Sequence, residues 1–400
     1  MLGQNYFATR LSDIYEYSRI HYRCGEGVSS ENIDYFWELC VDVSGNIIFL
    51  LHTKIFTHFL EEIPKIKSFT GTSNDKAWKI NCTDIHVLSV EAKIPNKLTY
   101  FCIPSIVNLE KQRNDVNVFN YAKAYFTNFE FSSIESDRGL VVNINGKDFC
   151  FQMIDKCKII IDFLKRERIN NALISTVTIS FNSGESIKEI EDEIKSISWF
   201  LSLLNINGTF TPVIEYSDGN DVVKFSIENT VKNNFHRNCI IDNLLIEEGI
   251  MNAFIECYQN YKNWQKNSDI NTLISFMVEI NQQKYIDIKL ATMLMAYEYL
   301  LFKYLLNQGL TQNEIGDNIQ QKLKQANKYL RFIPSKMMDE TLRGSVRNPL
   351  FHQGEIPRLQ SNEKIEIFKQ YYNLMIKIVL KILGYTGEYI SIITHKPSKT

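Results

Sequence analysis

Between residues 342 and 357 the chain reads LRGSVRNPLFHQGEIP, which sets Arg347, Asn348 and His352 in one short run. His352 is one of seven histidines in 400 residues. An imidazole titrates near neutrality and can give or take a proton. A guanidinium stays charged and can grip an anion with two parallel N–H groups. Together these residue types suit proton transfer beside a stabilised negative charge.

Their spacing poses a geometric problem. In an α-helix, positions five apart are rotated by about 500°, which leaves about 140° between the side chains. Pro349 lacks an N–H and disfavours the α conformation at Asn348. The expectation is a helix that breaks here and turns Arg347 and His352 into one cleft. Gly354 stands where such a segment would close.

The elements that must position this run are helical. Apolar residues recur at helical spacing over 240–264, 271–308, 312–331, 336–348 and 362–384. IDIKLATMLMAYEYLLFKYLLNQG is apolar almost all round, which predicts a helix central in a bundle and stopped by Gly309. EKIEIFKQYYNLMIKIVLKILG carries a stripe of Ile365, Phe368, Tyr372, Met375, Val379 and Ile382 before Gly384. The basic tail THKPSKT predicts a frayed end.

Upstream of residue 235 strands prevail. DIHVLSVEAKIPNKLTYFCIPS predicts two strands about a Pro-Asn-Lys turn, and GLVVNINGKDFCFQMI a hairpin about Asn145-Gly146. NALISTVTISF predicts a buried strand, and SIKEIEDEIKSISWFLSLLN a helix begun by a Ser186/Glu189 capping box. The EIEDEIK run predicts the wet face of that helix. GTFTPVIEYSDGNDVVKFSIE predicts a second hairpin about Asp218-Gly219. There is no glycine-rich phosphate loop, which argues against a dinucleotide fold.

Composition narrows the class. At 44% hydrophobic and 22% charged residues, the chain is that of a folded protein. A net charge of −2 gives no general field for nucleic acid, so such contact needs a local patch. The eight cysteines never take C-x-x-C spacing, which argues against a zinc ribbon and for buried thiols in a reducing compartment. His52 and His58, six apart, form a poor metal pair; no metal and no cofactor is expected. No signal peptide or membrane span is legible, and a cytoplasmic location is expected.

RNPLFH fits the Arg-Asn-x-x-x-His motif of HEPN domains (higher eukaryotes and prokaryotes nucleotide-binding). ETLRGSVRNPLFHQG is similar to the family's leucine-Arg-Asn-hydrophobic-His-Gly run. MLMAYEYLLFKYLL, with Glu298 inside an apolar helix, resembles its acidic helix position. This resemblance covers about 240–390. ALISTVTISF, followed by SIKEIEDEIKSISWFLSLLNINGTFTPVIEY, resembles the N-terminal module of ApeA-type defence proteins as a pattern of elements.

The fold class expected is α+β. A strand-rich α/β sensor or regulatory module spans 1–235, and an all-α HEPN bundle spans 236–400. The resemblance implies a metal-independent endoribonuclease effector of an antiphage, abortive-infection system. Its site would lie in a homodimer or higher homo-oligomer. RNA would be the substrate, tRNA among the candidates, and a phage-derived component the trigger. His352 would be the acid/base group, Arg347 the phosphate clamp, and Asn348 would orient His352 or the phosphate.

Glu298 would hold Arg347 or else face water. Arg343, one turn earlier, would touch a phosphate or remain a solvated charge. The alternative implied by the family is a catalytically inactive bundle that serves the N-terminal module as a dimerisation or RNA-binding scaffold. Arg347 and His352 would then pack an interface; taken singly, Arg347 would cap a helix and Asn348 end one.

Overall fold

The computed structural model describes residues 23–41, 45–53, 65–93, 97–112, 119–130, 139–144, 146–154, 171–182, 184–229, 239–242, 245–246, 248–338 and 342–400. The fold is mixed α+β, strand-rich in its N-terminal part and helical in its C-terminal part. Two compact units divide it. One takes described residues within 1–130, 146–195 and 210–232, the other those within 131–145, 196–209 and 233–400.

In the first unit, strands β1 (Arg23–Ser29), β2 (Asp34–Val41), β3 (Ile47–Thr53), β4 (Ser68–Ser73), β5 (Trp78–Lys93) and β6 (Lys97–Lys111) run in the order β3-β2-β1-β4-β5-β6. β3 also pairs with β6, Phe49 opposite Cys102 and His52 opposite Thr99, so these strands close into a barrel. Alternation fills the barrel interior: DYFWELCV sends Tyr35, Trp37, Leu39 and Val41 inward, all buried. Phe49 and Phe69 meet edge to face at 5.5 Å inside. A Cβ at Gly71 would stand 2.8 Å from the Trp37 indole nitrogen, so only glycine leaves room for that ring.

β6 is long enough to serve two partners. Residues 99–102 pair with β3, and 106–110 pair with β12 (Val222–Glu228). Pro104 falls between the two stretches; it has no N–H to offer a ladder. From β12 the sheet continues through β11 (Val213–Ser217), β7 (Tyr121–Thr127), β10 (Leu173–Ser180) and β9 (Lys147–Met153). The expected strand at 171–181 is β10, and its Leu173, Ile174, Val177 and Ile179 are buried.

The expected hairpin about Asp218-Gly219 joins β11 to β12. Asp218 accepts from the N–H groups of Asn220 and Asp221 at 2.9 and 2.8 Å. Strands β8 (Leu140–Ile144) and β9 flank the Asn145-Gly146 turn, where Gly146 has φ 80°; Asn145 lies outside the described residues. Of the Pro-Asn-Lys turn expected between β5 and β6, Lys97 opens β6 opposite Lys93, while Pro95 and Asn96 lie outside the described residues.

Helix α1 (Ile187–Asn205) starts at the expected capping box, Ser186 N–H donating to Glu189 at 2.8 Å. Its acidic run is not wholly solvated as expected. The Tyr216 hydroxyl donates to Glu191 at 2.6 Å, because a buried phenol needs an acceptor.

The second unit holds α2 (Gly249–Ser268), α3 (Ile270–Gln282), α4 (Ile286–Asn307), α5 (Gln312–Ile315), α6 (Ile319–Leu330), α7 (Asn348–Gln353) and α8 (Ser361–Ile382). Helix α4 packs against α3, α6 and α8, with Leu290, Met293, Leu294, Tyr297, Leu300 and Leu301 buried. The helix expected over 271–308 is two helices, since Gln283 adopts an extended backbone. The helix expected over 240–264 starts later, at Gly249. Over 336–348 the chain forms a 3-10 turn (Ser335–Met338) and then a π-helical turn (Leu342–Arg347). The tail is not frayed: β13 (Glu388–Ile390) pairs with β14 (Pro397–Lys399).

Candidate active site

Three neighbouring stripes on one helical run organise the Arg347 segment. Val346 and Leu350, four apart, are buried and anchor it. Arg347 and Phe351 form the next stripe, with the Arg347 Cζ 5.4 Å from the Phe351 ring centre. Asn348 and His352 form the third; Asn348 is half-buried and His352 exposed. Neither side chain has a hydrogen-bond partner among the described residues. Gly354, at φ 79°, ends α7 by donating to the Leu350 carbonyl at 3.0 Å.

The expected break at Pro349 does not occur. The π-helical turn runs directly into α7, Arg347 has φ −61° and ψ −53°, and Pro349 lies in the first turn of α7. A proline is tolerated there because a first-turn N–H needs no helical partner, and the wider π turn before it absorbs the misfit. Helical winding from Arg347 to His352 therefore keeps the offset of about 140° between them.

Arg347 is held from α4. Its Nε donates to Glu298 Oε1 at 2.7 Å, and the two side chains are 32% and 29% exposed. A charge-assisted bond at such partial exposure contributes on the order of 1 kcal/mol to stability and fixes the direction of the guanidinium. Phe351 braces the same group through its ring. Arg343 lies in the π-helical turn one turn before Arg347; its side chain is outside the described residues.

His52 bonds Thr99 at 2.9 Å and approaches Glu38 at 3.3 Å; His58 lies outside the described residues. Among the described residues no group of three or more His, Cys, Asp or Glu side chains could hold a metal ion. Among them, too, no helix is long and apolar enough to cross a membrane.

Two features escape a reading of the sequence. Phe351 is 48% exposed beside Arg347. Four-residue spacing from Arg347 was its only signal. On the outer barrel face an open groove of about 850 Å³ is lined by Thr70, Lys79, Asn81, Asn108, Glu110 and Lys224. Asn81 stands opposite both Thr70 and Asn108 across strands. Strand order alone brings these distant residues together. In comparisons with known protein families, curated proteins and solved structures, nothing matches the chain.

Proposed function

We propose that the chain is a metal-independent endoribonuclease whose helical unit is a HEPN-type bundle working as a homodimer. One observation carries this reading: a guanidinium fixed by Glu298 lies one stripe from the half-buried Asn348 and the exposed His352. RNA brings its own nucleophile. His352 takes the proton of a 2′-hydroxyl as that oxygen attacks the adjacent phosphorus. Arg347 stabilises the extra negative charge of the phosphorane through the N–H groups that Glu298 does not engage.

The 5′-oxygen leaves with a proton given by His352 of a second copy. The products are a 2′,3′-cyclic phosphate and a 5′-hydroxyl. An offset of about 140° between Arg347 and His352 in one chain fits a site in which two copies complete each other. Asn348, four residues before His352, orients that imidazole or the phosphate. Arg343 is a further phosphate contact.

The strand-rich unit is the recognition module of an antiphage effector, and its groove about Asn81 and Asn108 is the place for a phage-derived trigger. RNA, tRNA among the candidates, is the substrate, and the reaction is cytoplasmic. Incubating the protein with total RNA in EDTA tests this, with and without phage lysate. Cleavage lost in His352→Ala by at least about 100-fold is the expected result. Identical RNA profiles for wild type and His352→Ala under every condition would refute it.

A second reading, a non-catalytic dimerisation or RNA-binding scaffold, is favoured by the internal ion pair, since part of the Arg347 charge is already matched. It is distinguished by RNA binding that persists without cleavage.

A further inference from the structure

The Phe351 ring lies at the solvent face of α7 with almost half its surface open. One side of it carries the Arg347 guanidinium at 5.4 Å. The Val346–Leu350 stripe, not Phe351, anchors the segment in the bundle. An aromatic ring so placed adds nothing to the core, and its exposure is unfavourable by the apolar area it leaves in water. Next to an anion-binding guanidinium it has a specific use.

We infer that Phe351 is a stacking platform for an unpaired nucleobase of the RNA strand whose phosphate Arg347 holds. This rests on the endoribonuclease reading and deepens it by assigning a residue to the base beside the phosphate. A nucleotide presents a phosphate and a flat base side by side, and the Arg347–Phe351 pair presents a cation and a flat ring in the same relation. A base inside a duplex has both faces covered, so it has none to give the ring. Stacking on an aromatic face tolerates any base, so the platform selects strandedness more than sequence. Arg347 does not compete for the open face, because Glu298 draws the guanidinium towards α4.

The test uses a single-stranded 2′-O-methyl oligonucleotide carrying 2-aminopurine, which cannot be cleaved by 2′-oxygen attack, and the same strand in a duplex. Wild type is expected to quench the 2-aminopurine of the single strand. Phe351→Leu should bind it about tenfold more weakly with the quenching lost, while Phe351→Trp retains both. Duplex affinity, which reads Arg347 on phosphate without a free base, should fall far less in Phe351→Leu than single-strand affinity does. Thermal melts confirm that both variants fold, and light scattering follows their oligomeric state.

Unchanged single-strand affinity and quenching in Phe351→Leu overturns the inference. So does a Phe351→Leu protein that loses affinity only because it has become monomeric. The two readings fail separately. If wild type cleaves RNA in EDTA and Phe351→Leu binds normally, the platform alone is wrong. If quenching depends on Phe351 but nothing is cleaved, the nuclease reading alone is wrong.

Discussion

Glu298, at the centre of helix α4, accepts a hydrogen bond from Arg347 Nε at 2.7 Å and so joins the helix that packs against α3, α6 and α8 to the segment that bears His352. The carboxylate meets the side of the guanidinium and leaves its terminal N–H groups for an anion. The pair therefore acts on direction more than on stability.

Replacing Glu298 separates these roles. On the proposed nuclease function, Glu298→Ala should lower kcat for RNA about tenfold, since a freed guanidinium samples other rotamers. Its melting temperature should move little, because a pair this exposed stabilises by about 1 kcal/mol at most. Glu298→Gln keeps an acceptor for Nε and should retain more of kcat than alanine. Single-turnover kinetics with thermal melts on the same preparations check this. Equal kcat in wild type and Glu298→Ala would remove the positioning role.

Pro349 shapes the run in another way. With no N–H at this position, proline cannot give the Ser345 carbonyl an α-type bond, and the preceding turn is π-helical. In Pro349→Ala the donor returns and the turn can tighten to α winding, which rotates Arg347 away from Glu298. The expected result is a drop in kcat with a melting temperature equal to or above that of wild type. A crystal structure of the variant that keeps the π turn and the Arg347–Glu298 bond would contradict it.

Glu215 gives a prediction about pH. It sits on β11 in the core, where burial pushes its carboxyl above the ordinary range against the pull of a Tyr125 hydrogen bond and nearby Lys123. The folded chain thus keeps this proton to higher pH than the unfolded chain does. Stability from this group is greatest below the ordinary glutamate range and falls as pH rises through it towards the raised folded value. Glu215→Gln, neutral throughout, should melt higher than wild type at pH 7, and the gap should close towards pH 4 (about the unfolded glutamate value). Melts across that range measure it; a gap that widens on acidification would show the sign to be wrong.

The order in which the sequence reveals this protein follows the range of the forces involved. Capping at Ser186 and Glu189, the buried strand at Leu173–Ser180, the turn at Asp218 and the all-round apolar α4 depend on neighbours within a few residues, and each stands in the sequence. So does the Arg347–Asn348–His352 run, because helical spacing is a local property.

The barrel does not stand there. Pairing of β3 with β6 sets His52 against Thr99, and the period of alternation says that a strand has a buried face but not which strand lies beside it. The tail shows the same gap: Ser398 looks frayed alone and is ordered by Tyr389 across a two-stranded ladder.

At the candidate site the sequence determined residue types and spacing, and with them the reactions open to an imidazole and a guanidinium. Only the tertiary structure decided that Pro349 would be carried by a π turn instead of breaking the helix, that Glu298 would hold Arg347 across 49 positions, and that Phe351 would face water. The physical reason is that a helix fixes the angles between its own side chains, whereas packing against other helices fixes which of those side chains is buried, paired or left free.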